Sequence, residues 1–335
     1  MLCKQFFSVV TLIIFVLSVD ANLVAQTTND DEIIKVDVAL VNIPFSVSDR
    51  EGRGIQGLKI QNFTLFEDGK PQNIEYLSTQ DTPLNIVLLL DTSQSAQDIF
   101  DKIKNSATQF LKQLRPLDRC MIIGFDQSAR VKSEFTSDQL ILEKAIKKTV
   151  ISQKPGTLMR DTIFVTVDKE LAKVKGRKAI ILITDGKDAG SAINKDDLLY
   201  RLAESDAPIY SIFYESVNMK LPTISPKTTK DPAKVQSYQL SQDQINKIRA
   251  EKQKKNEEAA DFMGQMSDVT SGRTYRKEIN NLGEAFNQIA EELRKQYLIS
   301  FYADDSKYDV SRHQIKIKVD KNNVVVRMKN IKLLK

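Results

Sequence analysis

The chain has 335 residues, of which 41% are hydrophobic and 28% charged, and a formal net charge of +5. That is the make-up of an ordinary globular protein, long enough for two domains or for one domain with an appended module. Two cysteines, Cys3 and Cys120, and one histidine, His313, argue against a disulfide framework, a His-based zinc site and Ser-His-Asp chemistry.

The chain opens on a leader. Lys4 precedes an apolar run at 6–17, small residues follow at Ala21 and Ala25, and polar sequence fills 26–31. Residues 1–25 therefore read as a secretory signal peptide, too short and wrongly flanked for a membrane span. Cys3 lies ahead of the apolar run, so it is not a lipidation cysteine at the cleavage point. No second span follows. The expected product is exported (periplasmic, secreted or cell-surface) with no transmembrane segment after signal cleavage. Only Cys120 then remains, in the apolar stretch Cys-Met-Ile-Ile-Gly-Phe, where a thiol acts as a small apolar group.

Residues 32–80 read as an N-terminal β segment. Ile34, Val36 and Val38 alternate, then Val41, Ile43, Phe45 and Val47 after a slip, with Pro44 marking an edge or a bulge. Asp68-Gly69, set between apolar runs at 63–66 and 72–77, signals a hairpin.

At residue 85 the period changes. Apolar runs at 86–90, 120–125, 179–183 and 209–213 read as buried strands, and 129–135 alternates like an antiparallel edge strand. Helical spacing fills 98–114, 140–150, 157–174 and 195–204. This alternation predicts an α/β domain over 84–296, a doubly wound, mostly parallel, Rossmann-like sheet with helices on both faces. A charged insertion at 217–261 interrupts it. Its first part is rich in Pro, Thr and Lys, and its helix from 242 has little apolar stripe, so it reads as a solvated linker and helix rather than a partner-binding arm.

A helix at 282–295 ends the domain, and 297–335 returns to strands at 297–302, 314–319 and 324–328. Neither terminal β segment can bury a core alone, so 32–80 and 297–335 are expected to pack as one β-sandwich-like module. From residue 303 onward nine Lys/Arg face four Asp/Glu. Without interleaved aromatics they read as edge-strand protection, which leaves no nucleic-acid surface. His313, at the start of an alternating strand, reads as a surface residue.

The stretch that organises the chain is 85–95, Asn-Ile-Val-Leu-Leu-Leu-Asp-Thr-Ser-Gln-Ser. A buried strand stops at Asp91, and Ser93 and Ser95 follow at alternate positions. Three hard oxygen ligands in a tight loop suit Mg²⁺ or another small hard cation. They equally suit a strand-to-helix turn whose Asp or Ser caps the next helix, and on this segment alone capping is the better account. Two further clusters reverse that order: Gly156-Thr157 entering a helix, and Thr184-Asp185-Gly186 after another buried strand. In an open α/β sheet, ligands gather outside the carboxyl ends of the strands, where all three clusters should fall.

Asp91-x-Ser93-x-Ser95, Thr157 and Asp185 resemble, in order and context, the metal-ion-dependent adhesion site of von Willebrand factor type A domains. The resemblance implies Ser93 and Ser95 as direct ligands, and Thr157 as direct or water-mediated. It has Asp91 and Asp185 acting through water, and a partner's carboxylate filling the remaining position. Gln94 stands where glycine is frequent, and Lys154-Pro155 precede Gly156-Thr157 where Gly-Gly-Thr is common. Neither departure removes a ligand, though Gln94 could crowd the loop. More widely, Phe-Thr-Leu-Phe-Glu-Asp-Gly-Lys-Pro-Gln at 63–72 and Ile-Ala-Glu-Glu-Leu-Arg-Lys-Gln-Tyr-Leu at 289–298 resemble exported bacterial VWFA-related Acidobacterial-domain proteins. That resemblance speaks to architecture and export.

The function expected from these features is non-enzymatic: a metal-dependent binding or adhesion module whose Mg²⁺ (or Mn²⁺ or Ca²⁺) bridges to an acidic side chain of a protein partner. The alternatives are a hydrolase or phosphotransferase using the same cation, and a structural module with a vestigial site. The first alternative would want a nucleophile elbow, a phosphate loop or an Asp-x-Asp pair, none of which occurs. Nothing in the sequence fixes an oligomeric state.

Overall fold

Eight consecutive buried residues, Leu84–Asp91, form the strand at the centre of the fold. The coordinates are a computed structural model, which describes residues 39–79, 82–215, 242–276, 281–303 and 313–328. The leader expected at 1–25, the start of the N-terminal β segment and residues 217–241 of the insertion lie outside the described residues.

Numbered along the chain, the strands are β1 (Ala39–Asp49), β2 (Phe63–Glu67), β3 (Lys70–Gln72), β4 (Tyr76–Thr79), β5 (Leu84–Asp91), β6 (Arg119–Phe125) and β7 (Ala129–Thr136). Then come β8 (Arg177–Thr184), β9 (Ile209–Phe213), β10 (Arg273–Arg276), β11 (Tyr297–Ala303), β12 (Ile315–Val319) and β13 (Val324–Met328). The helices are α1 (Phe100–Leu111), α2 (Gln139–Lys148), α3 (Met159–Val165), α4 (Lys195–Glu204), α5 (Gln242–Thr270) and α6 (Leu282–Arg294).

The central sheet runs β10-β9-β8-β5-β6-β7, parallel throughout except for the antiparallel edge strand β7. An apolar run works here because both faces of β5 are covered. Ile86, Leu88 and Leu90 pack with α1, α2 and α6, while Val87 and Leu89 pack with α3, α4 and the end of α5. Cys120 is buried in β6, and that burial pushes its thiol up to about 12, so it behaves as an apolar group.

Local chemistry sets the ends of the helices. The Asp138 carboxylate accepts from the amides of Leu140 and Ile141 and starts α2. Asp138→Ala should cost about 1 kcal/mol of stability, read by urea unfolding. In the region expected to be one helix, α3 gives way at Thr166 to a π-helical turn, Thr166–Leu171. Thr162 and Thr166 each donate a hydroxyl to the carbonyl four residues back, at 2.7 Å, which competes with the regular ladder. Gly272 leads into β10 because a Cβ there would meet Ile209 O at 1.8 Å.

The insertion boundary at 261 is not a structural one. α5 continues without a break from Gln242 to Thr270, and Ala260, Phe262, Met263 and Met266 are buried against the sheet. Its N-terminal part is charged and mostly exposed, and its buried apolar residues start only at Ala260, where it meets the domain. Cutting at 261 would therefore sever a helix that the core needs.

The terminal segments form two antiparallel sheets, β13-β1-β11-β4 and β12-β2-β3. Ile43, Phe45 and Val47 of β1 share one core with Phe63 and Leu65 of β2, Tyr297, Ile299 and Phe301 of β11, and Ile317 of β12. The rings of Phe45 and Tyr297 stack at 5.5 Å. A single strand expected at 72–77 is two, β3 and β4, in different sheets, because the chain crosses over so that Ile74 and Leu77 both reach this core.

A buried polar cluster joins this module to the α/β domain. Glu292 of α6, 0% exposed, accepts from Ser46 Oγ of β1 at 3.0 Å and from Tyr210 OH of β9 at 3.4 Å. Arg273 Nε of β10 lies 3.2 Å from Glu292 Oε2, an ion pair rather than an aligned hydrogen bond, and Arg273 Nη2 donates to Ser48 Oγ at 2.9 Å.

Candidate functional site

The carboxyl end of β5 carries the first cluster. Asp91 is 0% exposed, and its Oδ1 accepts from the Ser93 amide at 2.9 Å. Ser93 Oγ and Ser95 Oγ lie 2.9 Å apart, with Ser93 buried and Ser95 partly exposed. A 3₁₀ turn, Gln94–Ile99, then leads into α1. Neither Ser93 as N-cap of that turn nor Ile99 as N-cap of α1 makes a side-chain capping bond. Capping therefore does not account for the two serines.

β8, beside β5, delivers the second carboxylate. Asp185, 1% exposed, follows its last residue, and its charge adds to burial in pushing the Asp91 carboxyl up to about 6. Thr184 Oγ1 donates to Asp91 Oδ2 at 2.7 Å, and Lys187 pairs through its ammonium with Asp185 Oδ2. Two buried carboxylates thus share one end of the sheet.

Thr157, also buried, sits on the next loop. It forms an isolated antiparallel bridge with Ala189, four residues beyond Asp185. Gly156 has φ 115°, and a Cβ there would meet Gln127 Cγ at 3.0 Å, so only glycine suits this turn. The structure brings Asp91, Ser93 and Ser95 into direct contact, sets Asp185 within electrostatic reach, and holds Thr157 on the loop bridged to that of Asp185.

Gln94 does not crowd the loop. Its side chain is exposed and donates to Gln153 O at 2.9 Å, tying the first loop to the one before Thr157.

Two residues of this site went unseen in the sequence, and a third was named there without its role. Asp126, 1% exposed, accepts from Thr92 Oγ1 at 2.9 Å and pairs with Arg130, while its carbonyl accepts from the Leu158 amide at 2.7 Å. It joins the Asp91 loop to the Thr157 loop. Its one sequence signal is position, directly after the buried strand β6. Thr184 is the residue already named in the third cluster, where only its place closing a strand was legible and not its bond to Asp91. Tyr214, like Asp126, went unseen: its hydroxyl is buried and has no hydrogen-bond partner among the described residues, and the charges of Asp91 and Asp185 both act on it. An oxygen-only donor set beside an unsatisfied buried hydroxyl fits a small hydrated cation.

Among the described residues, no helix is long and apolar enough to cross a membrane. No curated protein matches the sequence. Among solved structures, the conserved hypothetical protein BatB from Bacteroides thetaiotaomicron is 19% identical with TM-score 0.44, covering 63% of this chain and 98% of that one. Proximal thread matrix protein 1 from the mussel byssus is 12% identical with TM-score 0.48, covering 69% and 51%. The vWF domain of the type V pili tip protein Mfa5 from Porphyromonas gingivalis is 14% identical with TM-score 0.42, covering 64% and 96%. The family model of the von Willebrand factor type A domain matches residues 85–247. That match spans the central strand and all three loops just described, and the chain carries a von Willebrand factor type A domain.

Proposed function

We propose that Asp91, Ser93, Ser95, Thr157 and Asp185 hold one divalent cation and that the chain uses it to bind a protein partner through an acidic side chain. The observation that carries this reading is the burial of two mutually repelling carboxylates beside the paired hydroxyls of Ser93 and Ser95. Burying such charges is costly unless something positive joins them. Hard oxygen donors favour Mg²⁺, with Mn²⁺ and Ca²⁺ next, over thiol-seeking metals. When bound, the ion supplies a Lewis-acidic point to which a partner's carboxylate can attach.

The chain's own residues do the rest. Asp91 and Asp185 offset the ion's charge, and the hydroxyls add neutral donors that leave it electrophilic. Thr92 and Asp126 hold the first loop in place, and Lys187 must share or release Asp185. On this reading the site binds and makes no bond, and the protein acts outside the cytoplasm as an exported interaction module.

Calorimetric titration of Mg²⁺ and Mn²⁺ into the EDTA-stripped chain tests the proposal. One event is expected, weakened by about 10–100-fold or more in Asp91→Ala. Asp91→Ala should stay folded, since it removes a charge that burial disfavours. Capture of a partner from envelope extract should fail in EDTA. Equal titrations for both proteins, or none with folded wild type, would take the metal out of this site.

A further inference from the structure

The terminal β-module holds a second group of metal-ligating side chains, which the proposed cation site does not use. Glu67 closes β2, Asp68 follows in the turn with φ 49°, and His313 lies two residues before β12. The backbone sets their placement. Glu67 pairs with Ile315 across the sheet, the Asp68 amide donates to Gln314 O at 2.9 Å, and the Gln314 amide donates to Asp68 Oδ1 at 2.8 Å. His313 Nδ1 then falls 2.9 Å from Asp68 Oδ2 and 3.2 Å from Glu67 Oε1. One ligand atom from each residue lies within 4.8 Å of the other two.

A histidine beside a carboxylate is ordinarily an ion pair. Here two carboxylates from different positions aim at the same ring nitrogen, which carries at most one proton. At best that one proton is shared between them, in a weaker three-centre contact. A cation among the three atoms would serve both. The second oxygen of Glu67 accepts from Gln72 Nε2 at 2.7 Å, an outer partner of the kind that orients metal-bound carboxylates. The Gln314 amide, with His313 adding to it, holds the Asp68 carboxyl below its usual range, in the ionised form that ligates.

We propose that Glu67, Asp68 and His313 form a second cation site that takes Zn²⁺ or a similar borderline metal, with water in the remaining positions. One imidazole nitrogen and two carboxylate oxygens suit Zn²⁺, Co²⁺ or Ni²⁺, whereas Mg²⁺ keeps to oxygen. Asp68 is exposed and the Glu67 and His313 side chains are partly so, which leaves one open face for water. Asp68 and His313 are 245 residues apart in sequence, so the metal would staple the N-terminal hairpin to the C-terminal strand. Because the ligands bind deprotonated, affinity should fall toward acid pH.

The test uses Zn²⁺ itself on the full chain, stripped with EDTA and held in excess Mg²⁺. Wild type and Asp91→Ala should each bind one Zn²⁺ by calorimetry, and each should melt at a higher temperature with Zn²⁺ present. His313→Ala and Asp68→Asn should fold, as judged by circular dichroism, yet bind Zn²⁺ at least about tenfold more weakly and lose the melting shift. Co²⁺ should give a visible absorption band in wild type that His313→Ala lacks. Unchanged Zn²⁺ binding in folded His313→Ala would overturn the second site. So would Zn²⁺ binding lost in Asp91→Ala but kept in His313→Ala, which puts the zinc on the Asp91 loop. Wild type without measurable Zn²⁺ binding would overturn it too, and would leave the Mg²⁺ titration untouched.

Discussion

Glu292→Ala should cost the fold about 3–5 kcal/mol, the range for removing one partner of a buried ion pair. Glu292 of α6 is 0% exposed and meets groups from three strands: Ser46 of β1, Tyr210 of β9 and Arg273 of β10. Alanine would leave the Arg273 guanidinium buried without its counter-charge and the hydroxyls of Ser46 and Tyr210 without their acceptor. Glu292→Gln keeps an acceptor and should cost less. Removing both charges, as Glu292→Ala with Arg273→Met, should recover part of the loss, because the uncompensated charge rather than the missing contact carries the penalty. Urea unfolding of the four proteins measures this. A single Glu292→Ala variant as stable as wild type would show that the seam contributes nothing.

Ending the chain after Ala303 should unfold the terminal module as a unit. That cut removes β12 and β13, and with them Ile317, Val324, Val326 and Met328 from a core that also covers Phe45, Val47, Phe63 and Leu65. Loss of Ile317 alone falls in the range of about 2–5 kcal/mol for deleting a large core aliphatic residue. The strands left behind could not make a self-sufficient pair of sheets. Amide-exchange protection at Ile43–Val47 should collapse while that of β5 and β8 survives. Protection retained in β1 would mean that the two ends of the chain are separate structures.

Some of this was legible in the sequence for a definite reason. β5 and β8 are covered on both faces, so their apolar runs stand out without any partner being known. Asp91, Ser93 and Ser95 lie at alternate positions of one loop, so local spacing already hints at their contact. What escaped depends on chain folding. Asp126 becomes a hub only when β6 comes to lie beside β5, and Tyr214 matters only because β9 brings it under two carboxylates. His313 read as a plain surface residue because Asp68 lies 245 residues away. The boundary set at 261 followed charge composition, whereas the helix continues until its apolar side is used up.

The pairing of β1 also has a consequence for how the protein is made. Its register runs Ala39 against Ala303 on one side and Phe45 against Met328 on the other. On a growing chain this strand waits for nearly all of the rest to be synthesised before either neighbour exists. Contacts so distant in sequence make folding slow, while the α/β domain between them can close first. In the interval β1 offers two bare edges, each a template for pairing with another chain. A pulse-labelled refolding experiment should find the β5 amides protected well before those of β1, with aggregation confined to that window.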